Sequence, residues 1–322
     1  MILFLDAFEN LPPDAQHCAL TIGNFDGVHR GHHAIVKQVR ALADSVSGPA
    51  VVFTFDPPPA KLLRPAEAPA ALTEIHRRAE LLSKLGIDYV VVFPTTPELL
   101  QLEPEEFFQQ VVCDTFKAKA IAEGENFCFG RKRRGDIAML KALCQSNGIE
   151  FSVLEPQRED DAWISSTRIR SLIEAGDVVA ANALLVEPYR IAGKVVQGAA
   201  RGRTLGFPTA NLENIHVLCP PVGVYAGRVA ACDSKADQPS PIGLPVAINI
   251  GPNPTFGESH LKVESHIVGY QGDIYDCNLA IELLAKLRDV KKFASKDELL
   301  AQLRVDVEQT IAINQGGIEK LM

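Results

Sequence analysis

Short apolar runs that alternate with amphipathic segments dominate the first half of the chain. Residues 50–55 (AVVFTF) and 89–93 (YVVVF) are continuous runs of β-branched and aromatic residues, which is the pattern of strands covered on both faces of a sheet. Between them, residues 74–85 carry apolar side chains at helical spacing, and Gly86 follows as a helix stop. This order of strand, helix and strand predicts a doubly wound, parallel α/β sheet.

Three further runs, at residues 18–23, 118–122 and 149–154, extend the predicted sheet. A helix is expected to start at Pro104, because proline fits the first helical turn and the two glutamates that follow favour the positive end of the helix dipole. The first half of the chain therefore has the elements of a Rossmann-like domain.

The pattern changes near Glu187 and Pro188. Strand-like segments separated by glycine, proline and asparagine follow, at 189–196, 222–232, 244–250 and 261–270. Such spacing predicts antiparallel structure in a small β-barrel. Ser295 and Glu298 form a capping-box pattern before a closing helix. We therefore expect two domains, at residues 1–186 and 187–322, which agrees with a length that exceeds what one core usually supports.

The composition is ordinary for a soluble globular protein. The formal net charge of −8 disfavours general binding to nucleic acid, and no apolar run is long enough to span a membrane. The N-terminus lacks the basic flank and cleavage site of a signal peptide. Seven dispersed cysteines without a CxxC pair predict reduced thiols and a cytoplasmic protein.

Residues 23–32 (GNFDGVHRGH) join the first predicted strand to a helix. His29 and His32 are three positions apart and should share one face of the first turn, where free N–H groups and the helix dipole favour an anion. Imidazoles can donate hydrogen bonds to phosphate and gain charge as phosphate raises their pKa. A solvated helix start is the alternative, and we retain it for His33. The other predicted nucleotide-binding residues of the motif are Gly23, Asn24, Phe25, Asp26 and Gly31.

The tetrapeptide HRGH resembles the H-x-G-H signature of the nucleotidyltransferase superfamily. A second element of that superfamily, a loop rich in serine, threonine and basic residues, is matched by residues 165–170 (SSTRIR). The resemblance implies that Ser166, Thr167 and Arg168 contact phosphates. Simple N-capping of a helix is the alternative for the hydroxyl groups, and the two roles are compatible.

The second half has its own resemblance. Residues 201–212 (RGRTLGFPTANL), with GVYAG at 223–227 and NIGPNPTFG at 249–257, closely resemble riboflavin kinase. The two halves in this order resemble the bacterial family of bifunctional riboflavin kinase/FAD synthetase, from about residue 18 to about residue 310. The resemblance implies that ATP phosphorylates riboflavin to FMN and that a second ATP adenylylates FMN to FAD with release of pyrophosphate.

For adenylyl transfer, the resemblance implies that His29 and His32 hold ATP phosphates and stabilise their charge. It places Asn126 near the flavin phosphate, although an asparagine in a turn is a competing interpretation. The aromatic rings at 127 and 129 could support the flavin or belong to the core. The basic run at 131–136 is interpreted as a phosphate-facing lid, with a solvated loop as the alternative.

For the kinase reaction, the resemblance implies that Thr209 and Asn211 bind Mg²⁺ and that Glu264 is the general base, within a V-E-x-H match. Strand alternation places Glu264 on one face with Lys262 and His266, and no role is predicted for His266. The residues expected to wrap ATP are Gly202, Arg203 and Thr204.

Three features depart from the family pattern or from local propensity. Pro58 replaces the histidine of a D/E-P-H-P motif, and Ala199 and Ala200 should stiffen a loop that is often richer in glycine. Residues 278–287 read as helix by propensity, whereas the family implies a barrel strand, which we adopt.

Two other functions remain open at this point. H-x-G-H alone allows a different acceptor, such as phosphopantetheine or a phosphorylated polyol, since the motif does not specify it. A flavin-binding or RNA-binding regulator is the non-enzymatic alternative, with one domain inactive. Riboflavin, FMN and ATP are the expected partners, without nucleic acid or membrane, in a monomer or weak homo-oligomer.

Overall fold

The computed structural model describes residues 1–198, 202, 205–234, 238–251 and 262–316. The chain divides into two compact units, Met1–Ser166 and Thr167–Met322. This division lies before the predicted boundary at residue 186, because helical residues ahead of the barrel pack with it. The Asn182 side chain, for example, donates to the main-chain oxygen of Leu283 (2.8 Å) and accepts from the main-chain nitrogen of Tyr189 (2.7 Å). The limits 1–186 and 187–322 stay a prediction.

The first unit is built on a six-stranded parallel sheet in the order β1-β4-β3-β2-β5-β6. Its strands are β1 (Ile2–Phe4), β2 (Ala19–Ile22), β3 (Ala50–Phe55), β4 (Tyr89–Phe93), β5 (Ala120–Gly124) and β6 (Glu150–Leu154). A short hairpin of β7 (Arg158–Glu159) and β8 (Ala162–Trp163) follows. The doubly wound prediction is confirmed, and the strand order reverses between β2 and β5, where α/β proteins bind ligands.

Eight helices among the described residues precede the barrel or separate the strands. They are α1 (Arg30–Ser45), α2 (Pro59–Leu63), α3 (Ile75–Lys84), α4 (Pro97–Gln101), α5 (Pro104–Phe107), α6 (Ile137–Ser146), α7 (Ser166–Ala175) and α8 (Val178–Leu184). The predicted helix at Pro104 continues past α5 as a π-helical segment, Phe108–Thr115. Short 3₁₀ turns lie at Phe8–Asn10, Pro13–Ala15 and Arg131–Arg133.

The core of the first unit forms around the apolar strands that define the sequence pattern. All six residues of β3 are buried, and the Phe53 ring lies edge-on to that of Phe116 at 5.1 Å between ring centroids. The π-helical segment contributes Phe108, Val111 and Val112 to the same cluster. Burial on both faces is what parallel strands between helical layers require.

The second unit is a closed antiparallel barrel in the order β10-β13-β12-β11-β14-β9. Its strands are β9 (Arg190–Val196), β10 (Ala210–Glu213), β11 (Gly223–Cys232), β12 (Pro245–Gly251), β13 (Lys262–Ile267) and β14 (Asn278–Arg288). The predicted barrel is confirmed. Helical propensity at 278–287 is overridden in β14, because that strand pairs with both β11 and β9 and buries Leu279, Ile281 and Leu283 completely.

The closing helix, α9 (Lys296–Asn314), starts as predicted: the Ser295 hydroxyl accepts the Glu298 N–H at 3.2 Å. An ion pair ties it to the barrel. Asp306, 1% exposed, accepts from Arg288 Nε (2.9 Å) and Nη2 (2.7 Å) and from Gln302 Nε2 (2.9 Å). A bidentate pair of this kind fixes the orientation of both partners.

Asp306→Ala should destabilise the second unit by about 3–5 kcal/mol, because a partly buried guanidinium would lose its carboxylate. The expected result is a lower midpoint of thermal unfolding together with loss of whatever activity the barrel carries. Glu308→Ala is the matched control, since Glu308 is an exposed acid on the same helix. Equal unfolding midpoints for the two variants would contradict this account of the ion pair.

Candidate active sites

The loop that leads from β2 to α1 has an unusual main chain. Phe25, Gly27 and Val28 adopt positive φ angles of 49°, 85° and 40°. This region is disfavoured for side chains with a Cβ, and most of all for a β-branched residue such as valine. Strain of this kind persists where the surroundings hold it, and it is frequent at functional sites.

Asp26 holds this loop in place. Its carboxylate accepts from the main-chain nitrogens of Leu72 (3.0 Å) and Thr73 (2.9 Å), and from the Thr73 hydroxyl (3.1 Å), with Arg78 Nη2 at 3.5 Å. These bonds give Asp26 a scaffolding role that the sequence did not indicate. Its predicted nucleotide contact stays a prediction.

The main-chain oxygen of Asp26 accepts the Ser166 hydroxyl at 2.8 Å, so within the first unit the loop after β2 is bonded to the first part of the second superfamily motif. Ser166 is the first residue of α7, and Thr167 and Arg168 follow in its first turn. Asn24 is exposed, and the Gly23 nitrogen donates to the main-chain oxygen of Phe53 on β3 (3.0 Å).

His29 and His32 form a reciprocal pair at the start of α1. His29 is the N-cap residue, and its Nδ1 accepts the His32 main-chain N–H at 3.3 Å, while His32 Nδ1 accepts the His29 main-chain N–H at 3.4 Å. The rings stack with centroids 3.6 Å apart. Because each Nδ1 accepts, each neutral imidazole carries its proton on Nε2.

Burial lowers the pKa of His29 to about 4, although the nearby Asp26 charge acts in the opposite direction. The pKa of His32 also lies well below its usual value, because of burial first and then the proximity of His29 and Arg78. Both imidazoles are therefore neutral at pH 7 in the free protein, and each has an Nε2–H to donate. Gly31 keeps them in place: a Cβ there would lie 3.1 Å from His29 Cε1 and Nδ1.

Asn126 occupies an exposed turn after β5, where the Phe127 nitrogen donates to the Gly124 oxygen at 3.0 Å. The turn geometry matches the competing interpretation of Asn126, and its flavin contact stays a prediction. Phe129 is 5% exposed and belongs to the core cluster, with Phe127 packed against it.

The positive charge of the basic run at residues 131–136 is partly neutralised by an acid. Arg131 and Arg134 each pair with Glu103, at 3.2 and 3.3 Å. Lys132 and Arg133 are exposed. The role of this segment as a lid stays a prediction.

In the barrel, polar side chains line up across three strands. Glu264 on β13 is the register partner of Asn211 on β10 and of Asn249 on β12. All three are partly exposed, whereas their strand neighbours Val263 and Ser265 are buried. The predicted alternation along β13 is confirmed, and Asn249, which was not among the predicted site residues, lies in the same row as Glu264 and Asn211.

A cavity of about 710 Å³ opens at one end of the barrel. Thr209 lies in its wall, so this predicted metal ligand borders a volume large enough for a nucleotide base. The wall is completed by Val195, Pro208, Ala210, Ser265, Ile267 and residues 270–275. Pro208 and Ala210 belong to the segment 201–212 that carries the riboflavin-kinase resemblance. Val195, Ile267 and residues 270–275 were not singled out from the sequence, because they are distant from that segment in the chain.

The comparisons with known proteins match both halves. The FAD synthetase family profile matches residues 11–168, and the riboflavin kinase profile matches residues 185–314. The bifunctional riboflavin kinase/FMN adenylyltransferase of Escherichia coli (strain K12) is 34% identical over 289 residues, 90% of each chain. This chain belongs to the bifunctional riboflavin kinase/FMN adenylyltransferase family. The family member from Haemophilus influenzae is 35% identical and covers 91% of this chain and 93% of its own length.

A solved structure also shares the fold of this riboflavin kinase/FMN adenylyltransferase family member. It is a crystal structure from Streptococcus pneumoniae described as a macrolide-efflux protein, with a TM-score of 0.82 at 28% identity, covering 96% of this chain and 98% of that one. In the part of our chain that the structure describes, no helix has both the length and the apolarity to cross a membrane.

His266 has a structural role in the kinase unit of this family member. Its Nδ1 lies 2.8 Å from the Pro208 main-chain oxygen, and its ring contacts Phe207 edge-on at 5.4 Å. A carbonyl can only accept, so Nδ1 carries the proton. Burial lowers the pKa of His266, and the neutral ring anchors the segment that leads into Thr209.

The glycine-rich segment of the kinase unit is described in part. Gly202 accepts from the main-chain nitrogens of Leu205 (3.1 Å) and Phe207 (2.8 Å), and a Cβ at this position would overlap the Phe207 oxygen. The predicted ATP-binding residues Arg203 and Thr204 lie outside the described residues, as do Ala199 and Ala200. Pro58 precedes α2 as its N-cap residue.

Proposed function

We propose that His29 and His32 act in adenylyl transfer and that Glu264, Asn211 and Thr209 act in riboflavin phosphorylation. Family membership gives the overall activity. The chain is a transferase that makes FMN from riboflavin and ATP, and then FAD and pyrophosphate from FMN and ATP. The reciprocal imidazole pair at the start of α1 is the observation that carries the assignment of the first site.

In adenylyl transfer, a phosphate oxygen of FMN attacks the α-phosphorus of ATP, and the bond to the β-phosphate oxygen breaks to release pyrophosphate. Negative charge spreads over the phosphate oxygens as this happens. His29 and His32 would each donate an Nε2–H to those oxygens from a fixed ring. Donors that are oriented before the reaction need no reorganisation during it, which makes them effective. Ser166, Thr167 and Arg168, with the loop residues Gly23, Asn24, Phe25 and Asp26, would complete the nucleotide site.

In riboflavin phosphorylation, the 5′-hydroxyl oxygen attacks the γ-phosphorus of ATP and ADP leaves. Glu264 would accept the hydroxyl proton as general base. Glu264 is the register partner of Asn211 and Asn249, so its carboxylate would lie on the same face of the sheet as two amides. Those amides could orient both the hydroxyl and the phosphate. We assign the 710 Å³ cavity beside Thr209 to the base and ribose of this ATP.

The donor set near Thr209 and Asn211 fits Mg²⁺. A hydroxyl and an amide oxygen are hard, neutral ligands, and Mg²⁺ usually takes one or two protein oxygens and completes its shell with phosphates and water. Among the described residues no group of three or more acids, histidines or cysteines is placed to hold a metal on its own. Bound Mg²⁺ would neutralise charge on the ATP phosphates.

We also propose a cytoplasmic location, small-molecule partners without nucleic acid or membrane, and a monomeric or weakly self-associating state. All seven cysteines are free thiols, three of them buried, which suits a reducing compartment. The net charge of −8 gives no electrostatic support for nucleic-acid binding.

The test is to incubate the purified chain with riboflavin, ATP and Mg²⁺ and to separate the flavins over time. FMN should form first and FAD second. A parallel reaction that starts from FMN isolates the second step. FMN without FAD in both reactions would mean that the first unit uses another acceptor, and no flavin product would favour a regulator.

A further inference from the structure

Glu123 is a buried acid for which neither reaction above has a role. It lies on β5 and is 3% exposed. Its Oε1 accepts the Ile22 main-chain N–H at 2.6 Å and the Thr21 hydroxyl at 3.3 Å. The ladder between β2 and β5 has its last registered pair at Leu20 and Ile121, so the side chain of Glu123 supplies an acceptor where the two strands separate.

This position lies at the point where the strand order reverses. Ile22 is the last residue of β2 and Gly23 is the first residue of the nucleotide loop. On the opposite side, the Gly23 nitrogen donates to Phe53 on β3. The main chain that enters the loop is therefore held from β3 by a backbone bond and from β5 by the Glu123 side chain.

We propose that Glu123 is a positioning residue for adenylyl transfer, whose buried side chain holds the end of β2 so that the loop presents His29 and His32 to the nucleotide. The inference rests on the proposed role of those histidines. It needs no contact between Glu123 and substrate. A neutral acid can accept hydrogen bonds from β2 at the point where β2 and β5 separate, without adding an anion next to the proposed phosphate site.

The surroundings of Glu123 favour the neutral form. Burial raises the pKa of Glu123 well above its usual value, and the bonds from Ile22 and Thr21 act in the opposite direction. Its register partner on β6 is Val153, and a Cβ at the adjoining Gly124 would lie 3.9 Å from Ile35 Cδ1 on α1.

The surroundings of Glu123 also include two thiols. Cys144 on α6 lies close enough to Glu123 for the two groups to repel each other when both are ionised, and Cys113 of the π-helical segment lies near Cys144. Burial raises the pKa of Cys144 to about 12 and also raises that of Cys113. Both thiols are therefore neutral at pH 7, and no cation contributes to the pKa of Glu123 among the described residues.

The sign of the pH dependence follows from this. The folded pKa of Glu123 is raised, so its contribution to stability is complete below the unfolded pKa of about 4.3 and is lost as pH rises through the folded value. Between the unfolded-state and the folded-state pKa of Glu123, the folding equilibrium constant of the first unit should fall by up to about tenfold per pH unit, relative to a variant with an uncharged residue at 123.

The experiment compares Glu123→Gln, Glu123→Leu and the control Glu150→Gln in the full chain. Glu150 is an exposed acid on the neighbouring strand β6. FAD formation from FMN is measured against pH, and FMN formation from riboflavin by the same sample is the internal standard. Trp163 is the single tryptophan and belongs to the first unit, so its fluorescence in urea reports the unfolding of that unit.

In the wild-type chain, FAD formation should decline at high pH as Glu123 ionises. Glu123→Gln should keep FAD formation within about twofold of wild type at pH 7 and should remove that decline, because an amide is a permanently neutral acceptor. Glu123→Leu leaves the Ile22 N–H unpaired and should raise the KM for ATP about tenfold in FAD formation alone. Glu150→Gln should retain the wild-type pH profile.

An equal loss of FAD formation in Glu123→Gln and Glu123→Leu would overturn the proposal, because the ionised acid would then be required. A wild-type KM and pH profile for Glu123→Leu would also overturn it. If the wild-type chain makes no FAD, the assigned role of the histidines fails. The free energies of unfolding of the wild type and Glu123→Gln then decide separately whether Glu123 is neutral. A difference between them that does not change with pH would show that Glu123 is not neutral.

Discussion

Glu264→Gln should slow FMN formation from riboflavin by about 10²–10⁴-fold, the usual contribution of a general base. Glutamine keeps the size and hydrogen-bonding ability of the side chain but cannot take up the 5′-hydroxyl proton. The register of β13 with β10 and β12 is set by main-chain bonds, so the barrel should fold normally. Initial rates of FMN formation at saturating ATP and Mg²⁺ measure the effect.

Two controls make the result specific. The same sample, supplied with FMN, should form FAD at the wild-type rate, because that reaction belongs to the other unit. Glu213→Gln changes the same charge at an exposed position on β10 and should leave both rates unchanged. A Glu264→Gln variant with more than a tenth of wild-type kinase activity would remove Glu264 from the role of base.

Hydrophobic pattern predicted the fold well where the strands are buried on both faces. The continuous apolar run at residues 50–55 predicts a strand covered on both faces, and all six residues are buried in β3. Pattern was insufficient in the barrel. The segment of β10 (ANLE) is too short and too mixed to predict a strand. Residues 278–287 have helical propensity, which is overridden because β9 and β11 pair with them.

For the candidate active sites too, the sequence predicted local features but not contacts between distant residues. The spacing of His29 and His32 predicted that they share one turn of α1, because that is a local property of a helix. It could not predict the reciprocal bonds of their Nδ1 atoms or the low pKa values that follow from burial. Asp26 and Glu123 find their partners 46 and 101 residues away in sequence, a separation that no motif records.

His29→Ala should lower FAD formation from FMN by about 10²–10³-fold, the usual cost of removing one oriented donor from a developing oxyanion. Alanine also removes the N-cap of α1, which costs about 1 kcal/mol of helix stability. His29→Asn separates the two effects, since asparagine is a good N-cap residue but its short side chain does not reach as far as Nε2. Both variants should lose adenylyl transfer, and only alanine should lower the stability reported by Trp163 fluorescence.

The neighbouring His33→Ala is the matched control for His29, because His33 is exposed and takes no part in the imidazole pair. It should retain FAD formation, and all three variants should make FMN from riboflavin at the wild-type rate. Recovery of adenylyl transfer in His29→Asn would mean that His29 serves only as a helix cap. Phosphate would then be bound by the main-chain N–H groups of α1 and by His32, and the paired donors proposed for this site would reduce to one.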